Sequence, residues 1–263
     1  VADEKPNSSE MPFLDHLEEL RWRILKSLVA LIVAFTFTFW FCTSSGFDIL
    51  AVLIKPIVPY LHGETLIYTH PMDKFTLLLQ IALGLAVVLA SPIIAYQVWA
   101  FLAPALMPRE KKVIIPVLIG AALLFLGGVA LSVFVFVPVT MGLVEGIKTT
   151  AVRQLLTASE YFGFLFSISL AFGAMFELPI LILALTALGL ITPKFLTKYR
   201  RHAIVATLII CEIITPGDVI ISTLILWIPV YGLYELSIIV SWFVYRARTR
   251  RQNRSETIAA QAS

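Results

Sequence analysis

Three long stretches carry no Asp, Glu, Lys or Arg at all: Ser27 to Phe47, Phe75 to Pro108 and Val113 to Val144. About 20 apolar residues in helical conformation cross about 30 Å of hydrocarbon, so each stretch is long enough to span a bilayer. Three further apolar segments follow, and they are interrupted only by single acids. Tyr161 to Leu190 contains Glu177, Ala203 to Ile214 contains Glu212, and Val219 to Tyr245 contains Glu235. The pattern predicts an all-α polytopic membrane protein with six transmembrane helices, at about 24–45, 75–103, 113–140, 161–188, 202–215 and 219–242. Continuous apolar runs rather than ten-residue alternating segments argue against a β-barrel.

The fifth segment is short. From His202 to Thr215 a helix covers only about 20 Å before Pro216, Gly217 and Asp218 end it, so thinning, shielding or displacement must make up the difference. Ahead of the first span, "MPFLDHLEELRWRILKSL" is amphipathic. Phe13, Leu17, Leu20, Ile24 and Leu28 share one face, with Asp15, Glu18, Glu19, Arg23 and Lys26 opposite. Glu19 is spaced to pair with Arg23, whereas Arg21 falls on the flank of the apolar face and is expected to pack against protein.

Composition agrees with a membrane solvent. The 263 residues are 59% hydrophobic and 14% charged, and mean hydropathy is +0.91. The net charge of +3 resolves into a topology. With an even number of spans and the N-terminus inside, sixteen of the twenty Lys and Arg fall in cytoplasmic segments and four outside. That distribution satisfies the positive-inside rule, with both termini cytoplasmic. It also removes the need for a nucleic-acid partner, since the cations are spread over loops and tail without exposed aromatics between them. Cys42 and Cys211 lie within spans and lack Cys-x-x-Cys spacing, so they are expected to be ordinary buried residues. No cofactor or metal is indicated. The first ten residues have no apolar core and do not read as a cleavable signal; residues 1–12 are expected to form a flexible tail, 13–245 a single membrane domain, and 246–263 a basic tail.

The acids within the spans are the chemically unusual feature. A charge at a helix centre costs about 2.5 to 3.5 kcal/mol on the insertion scale, and no Lys or Arg is available at the depth of Glu177. Protonation, hydration, an internal polar contact or a ligand from outside the chain could each relieve it. Glu235 is expected to sit at the interface near Arg246 or Arg248. A relay of Glu177, Glu212 and Glu235 would suit a secondary transporter or proton channel, but no inverted repeat or matching pair of broken helices accompanies it. An intramembrane hydrolase is disfavoured because His16, His62, His70 and His202 all lie outside the spans.

Five motifs occur in order along nearly the whole chain: "HLEELRWRI", "SPIIAYQVWAFLAPALMPREKK", "AFGAMFELPI", "GLITPKFL" and "TPGDVIISTLILWIPVYGLYELSI". Together they resemble TatC, the large subunit of the twin-arginine protein translocase. The resemblance implies a non-enzymatic receptor in the cytoplasmic membrane of a prokaryote, acting in an oligomeric complex. It would bind twin-arginine signal peptides of folded proteins, recruit single-span TatA- and TatB-type partners, and depend on the proton-motive force. It implies that Glu19 and Glu110 hold the paired arginines, with Arg21 and Phe101 on the same surface; a carboxylate can pair bidentately with guanidinium, which a lysine cannot reproduce. It assigns Glu177 to a concave intramembrane face that meets a partner. Glu212, with Thr215, on the short fifth helix is expected, apart from the resemblance, to offer a second partner contact to a polar residue near the end of a partner span. Pro56 and Asp218 become structural supports of the external caps, Asp218 being also a plausible N-cap. Two positions depart from the pattern: Ser222 stands where relatives often carry glutamine, and Glu212 where the family is mostly apolar.

Overall fold

The structure, a computed structural model, describes residues 11–46, 48–61, 63, 65–102, 114–146, 156–187, 189–214 and 220–262. Helix α1 (Met11–Ser44) joins the amphipathic stretch to the first span without a break. A short helix α2 (Ile49–Ile54) follows, capped by the Asp48 side chain, and passes into a 3-10 turn over Lys55–Tyr60. Then come α3 (Asp73–Leu102) and α4 (Ile114–Leu131), the latter continued through a π-helical turn at Ser132–Phe136 into α5 (Val137–Gly146). Next are α6 (Ala158–Phe176), α7 (Leu178–Ala187), α8 (Pro193–Lys198), α9 (Arg200–Ile214) and α10 (Ile220–Ala262).

Among the described residues, five helical stretches are long and apolar enough to cross a membrane: Leu17–Ser44, Asp73–Phe101, Ile115–Val144, Ala158–Ala187 and Thr223–Arg246. The expected fifth span is α9, whose 15 residues reach only about 22 Å. The expected span at 161–188 is two helices, broken at Glu177. Pro179 explains the break, because it has no N–H to offer the Met175 carbonyl four residues back. The chain turns there, and α7 restarts with Leu181 N–H donating to the Glu177 carbonyl at 2.9 Å. The helix of the expected sixth span runs on to Ala262, its apolar part being Thr223–Arg246.

Small residues and hydroxyls let the helices approach. Gly128 on α4 faces the Phe172 carbonyl of α6, and Gly173 on α6 faces the Phe125 ring of α4. Hydroxyl bonds cross between helices from Thr38 to the Ala82 carbonyl (2.7 Å), between Ser132 and Ser169 (3.2 Å), and between Thr186 and Ser241 (2.8 Å). In hydrocarbon, where water offers no alternative partner, such contacts hold helices together. One hydroxyl also repairs the backbone. Pro92 leaves the Val88 carbonyl of α3 without its helical donor, and Ser91 Oγ donates to that carbonyl at 2.8 Å.

The 3-10 turn that contains Pro56 rests on the bundle. Ile57 is buried with Leu77, Val137 and Tyr161 in one core cluster, and the Tyr161 hydroxyl donates to the Leu53 carbonyl at 2.9 Å. The loop strand at Ile67 pairs with Thr157, tying the two loops at this end of the bundle. Cys211 is buried and Cys42 half-buried, and neither is in a disulfide.

Candidate functional site

At one end of the molecule, Glu19 and Phe101 are set at a common level by the packing of α1 on α3. The Thr38–Ala82 bond fixes the register of the pair. The neighbouring contacts of Ala34 with Ala86 and Ala90 run in the opposite sense along the two helices, which are therefore antiparallel. Glu19 lies nineteen residues before Thr38 and Phe101 nineteen after Ala82, so both stand about 28 Å from that bond. Glu19 already holds a guanidinium: Arg23 Nε and one terminal nitrogen donate to its Oε1 at 3.1 and 2.6 Å. Both side chains remain partly open to the surroundings. Phe101 is half-buried. Arg21, expected to pack against protein, is exposed. Glu110, Thr215, Asp218 and the Ser222 side chain lie outside the described residues.

Within the bundle, α3, α4, α6 and α7 enclose a concave groove of about 380 Å³. Its walls include Val87, Val98, Trp99, Phe125, Leu170 and Leu181, and its polar groups include Glu177 and Ser91. The kink at Pro179 is what turns Glu177 into this groove rather than along a continuous helix. Its carboxylate has no hydrogen bond or ion pair among the described residues, so the internal polar contact left open from the sequence is not made. A second hollow of about 320 Å³ continues from the first, sharing Val87, Phe125 and Leu170. Gln80 lines it, and Gln80 Oε1 is buried with no hydrogen-bond partner. Ser91 and Gln80 are eleven residues apart on α3, or about 16 Å along its axis.

Glu212 is on the outer side of α9 and accepts a bond from Thr223 Oγ1 of α10 at 2.8 Å. One turn and a half earlier, Trp227 Nε1 donates to Thr207 Oγ1 at 3.0 Å, so the short helix is tied to α10 along its length. Glu235 is not beside Arg246 or Arg248. It accepts from Arg200 at 2.8 Å and from the Tyr231 hydroxyl at 2.7 Å. The reason is distance: Arg246 is eleven residues further along α10, about 16 Å away, while Arg200 begins α9 directly alongside. Glu177, Glu212 and Glu235 therefore face different neighbours, and no hydrogen bond links them among the described residues.

Gln80 is the site residue that sequence reasoning passed over. Its signal was present as an amide within a stretch free of charged residues.

The sequence matches, over residues 15–229, the family described as TatC, Sec-independent protein translocase protein. It is 35% identical over 245 residues to the Sec-independent protein translocase protein TatCy of Bacillus subtilis, covering 90% of this chain and 91% of that one. It is 33% identical over 243 residues to the TatC protein of Escherichia coli, covering 92% of both. Among solved structures, it is similar to a crystal structure of the twin arginine translocase receptor TatC, with a TM-score of 0.75 and 32% identity, covering 86% of this chain and 99% of that one.

Proposed function

The chain belongs to the TatC family of Sec-independent protein translocase proteins, and from that premise we propose that it is the receptor that reads twin-arginine signal peptides on folded cargo. It is a multi-pass membrane protein of protein transport and not an enzyme. On this reading it has six spans with both termini in the cytoplasm, α9 being the short one, and it works in an oligomeric complex.

The observation that carries the reading is the common level of Glu19 and Phe101. An acid that already accepts two guanidinium N–H bonds from Arg23 stands at the level of an aromatic ring near the end of the α1–α3 pair. An incoming arginine exchanges with Arg23 for that carboxylate, Glu110 takes the second arginine, and Phe101 covers the apolar residues that follow. Arg21, exposed on the same helix, helps orient the peptide.

The groove supplies the second half. A helix of a TatA- or TatB-type partner, or the inserted signal hairpin, lies along α3 and meets the Glu177 carboxyl. The unsatisfied Gln80 Oε1, about 16 Å along α3 from Ser91 of the same groove, supports an occupant long enough to reach along both hollows. Glu212, with Thr215, provides a contact on the outer side of α9 for a polar residue near the end of a partner span. The proton-motive force drives the transport step. Pro56 and Asp218 hold the external caps against which these helices are set.

The test is binding of a fluorescent twin-arginine signal peptide to the purified protein. Binding is expected to fall at least tenfold when the peptide's Arg-Arg becomes Lys-Lys, and likewise in Glu19→Ala and Glu110→Ala. Equal binding of the Lys-Lys peptide, or full binding by both variants, would overturn the assignment.

A further inference from the structure

Another concave surface, sharing no lining residue with the groove of Glu177, lies between α8 and α10. It measures about 390 Å³, and its floor is Pro193, Ile238, Ile239 and Phe243. Pro193 and Ile238 are buried, while Ile239 and Phe243 are open to whatever solvent surrounds the helix. At its rim stand Lys194 and Trp242. Arg246 is one turn beyond Trp242, with its guanidinium 4.9 Å from the indole.

These rim groups lack the partners that cations of a protein surface usually find. Neither Lys194 nor Arg246 has an ion pair among the described residues, and the Trp242 indole N–H has no hydrogen-bond acceptor there. Glu235, two turns back along α10, is taken by Arg200 and Tyr231. The Thr197 hydroxyl, also at the rim, is turned to the carbonyls of Pro193 and Lys194. The result is an ammonium and an indole lining an apolar trough, with a guanidinium lying over the indole.

We propose that the trough between α8 and α10 is a binding site for one anionic phospholipid, with its phosphate held by Lys194, Arg246 and Trp242 and an acyl chain along Ile238, Ile239 and Phe243. Charge complementarity selects an anion, since cations without acids beside them at the end of a membrane span attract acidic headgroups. The apolar floor selects an amphiphile over a free anion, because inorganic phosphate would leave that surface uncovered. The planar guanidinium can pair with two phosphate oxygens at once, and the indole sits where amphipathic aromatic rings gather at the membrane surface. Docking there would also brace α8, which carries the Tyr234 hydroxyl on its Leu196 carbonyl at 2.8 Å.

The experiment is native mass spectrometry of the detergent-purified full chain titrated with phosphatidylglycerol and, separately, with phosphatidylcholine. The wild-type protein is expected to retain one phosphatidylglycerol in preference to phosphatidylcholine. Each of Lys194→Gln and Arg246→Gln is expected to weaken that binding about fivefold, and the double variant about 25-fold. Lys198→Gln/Arg201→Gln removes the same charge from nearby exposed positions and should leave binding within about twofold. Ile239→Trp fills the trough without touching a charge and should also displace the lipid. Equal loss in the Lys198/Arg201 variant would mean a diffuse surface potential and no site. Unchanged binding in Ile239→Trp, or competition by inorganic phosphate as effective as by lipid, would overturn the amphiphile assignment. Gel-filtration profiles matching the wild type establish that each variant is folded.

Discussion

Gly127 and Gly128 are neighbours on α4 with opposite surroundings, and they make an internal control for how the groove is built. A Cβ at Gly128 would lie 2.7 Å from the Phe172 carbonyl oxygen and 2.9 Å from Cγ of Phe176, whereas a Cβ at Gly127 meets nothing within 4 Å. Ordinary contact begins at about 3.4 Å, so Gly128→Ala overlaps backbone by about 0.7 Å. A carbonyl cannot rotate away as a side-chain tip can. Relief requires α4 and α6 to separate, which also loosens the reciprocal seat of the Phe125 ring on Gly173 and the Phe136–Phe172 ring pair at 5.1 Å. Overpacking of this kind costs about 1 to 3 kcal/mol, set against a helix-propensity gain of about 1 kcal/mol that both alanines share. Gly127→Ala is therefore expected to be neutral or stabilising, and Gly128→Ala lower than it by the overpacking cost. Thermal unfolding in detergent, followed by dye labelling of the fully buried Cys211 in a Cys42→Ser background, reads the difference. Indistinguishable melting of the two variants would refute the close α4–α6 approach.

Three other outcomes follow from the polar contacts. Glu177→Ala should reduce photo-crosslinking of a partner helix from position 181 at least fivefold while Glu177→Gln retains it, and equal yields in both would reject a polar contact. Thr223→Val removes the internal donor to Glu212 at a cost of about 0.6 kcal/mol; partner crosslinking from the neighbouring exposed position 213 should stay at or above wild type, whereas Glu212→Leu lowers it, and the reverse order would make Glu212 purely structural. The Arg200–Glu235 pair is partly exposed, so a double-mutant cycle with glutamines, read by thermal unfolding, should give a coupling of at most about 1 kcal/mol; a coupling several times larger would mean a desolvated pair.

The all-helical membrane fold and the order of its long apolar helices were legible in the sequence because a bilayer demands long uncharged runs, and nothing local competes with that demand. The shortness of α9 was legible too, since Pro216 and Gly217 follow closely in the sequence. The pairing of Glu19 with Arg23 needed only helical spacing. What depended on two distant segments meeting was not legible. Glu235 was expected to find Arg246 on its own helix, but the crossing of α9 brings Arg200 instead. Thr223 reaches Glu212 only because α9 and α10 fold back on each other. The break at Glu177 could have been read from Pro179 two residues on, yet an apolar run with one proline is also compatible with a continuous helix, as Pro92 in α3 demonstrates. There, Ser91 supplies the missing donor; no hydroxyl plays that part beside Pro179. Gln80 carried no charge to draw notice, and its unsatisfied state emerges only once α3 is packed.

The decisive measurement is export of a folded reporter carrying a twin-arginine signal by cells whose only TatC-family protein is this chain. Export is expected with the Arg-Arg signal, to be lost with Lys-Lys, and to be lost or strongly reduced in Glu19→Ala and Glu110→Ala. Export of the Lys-Lys reporter at the Arg-Arg level, or full export by the Glu19→Ala/Glu110→Ala double variant, would contradict the receptor assignment.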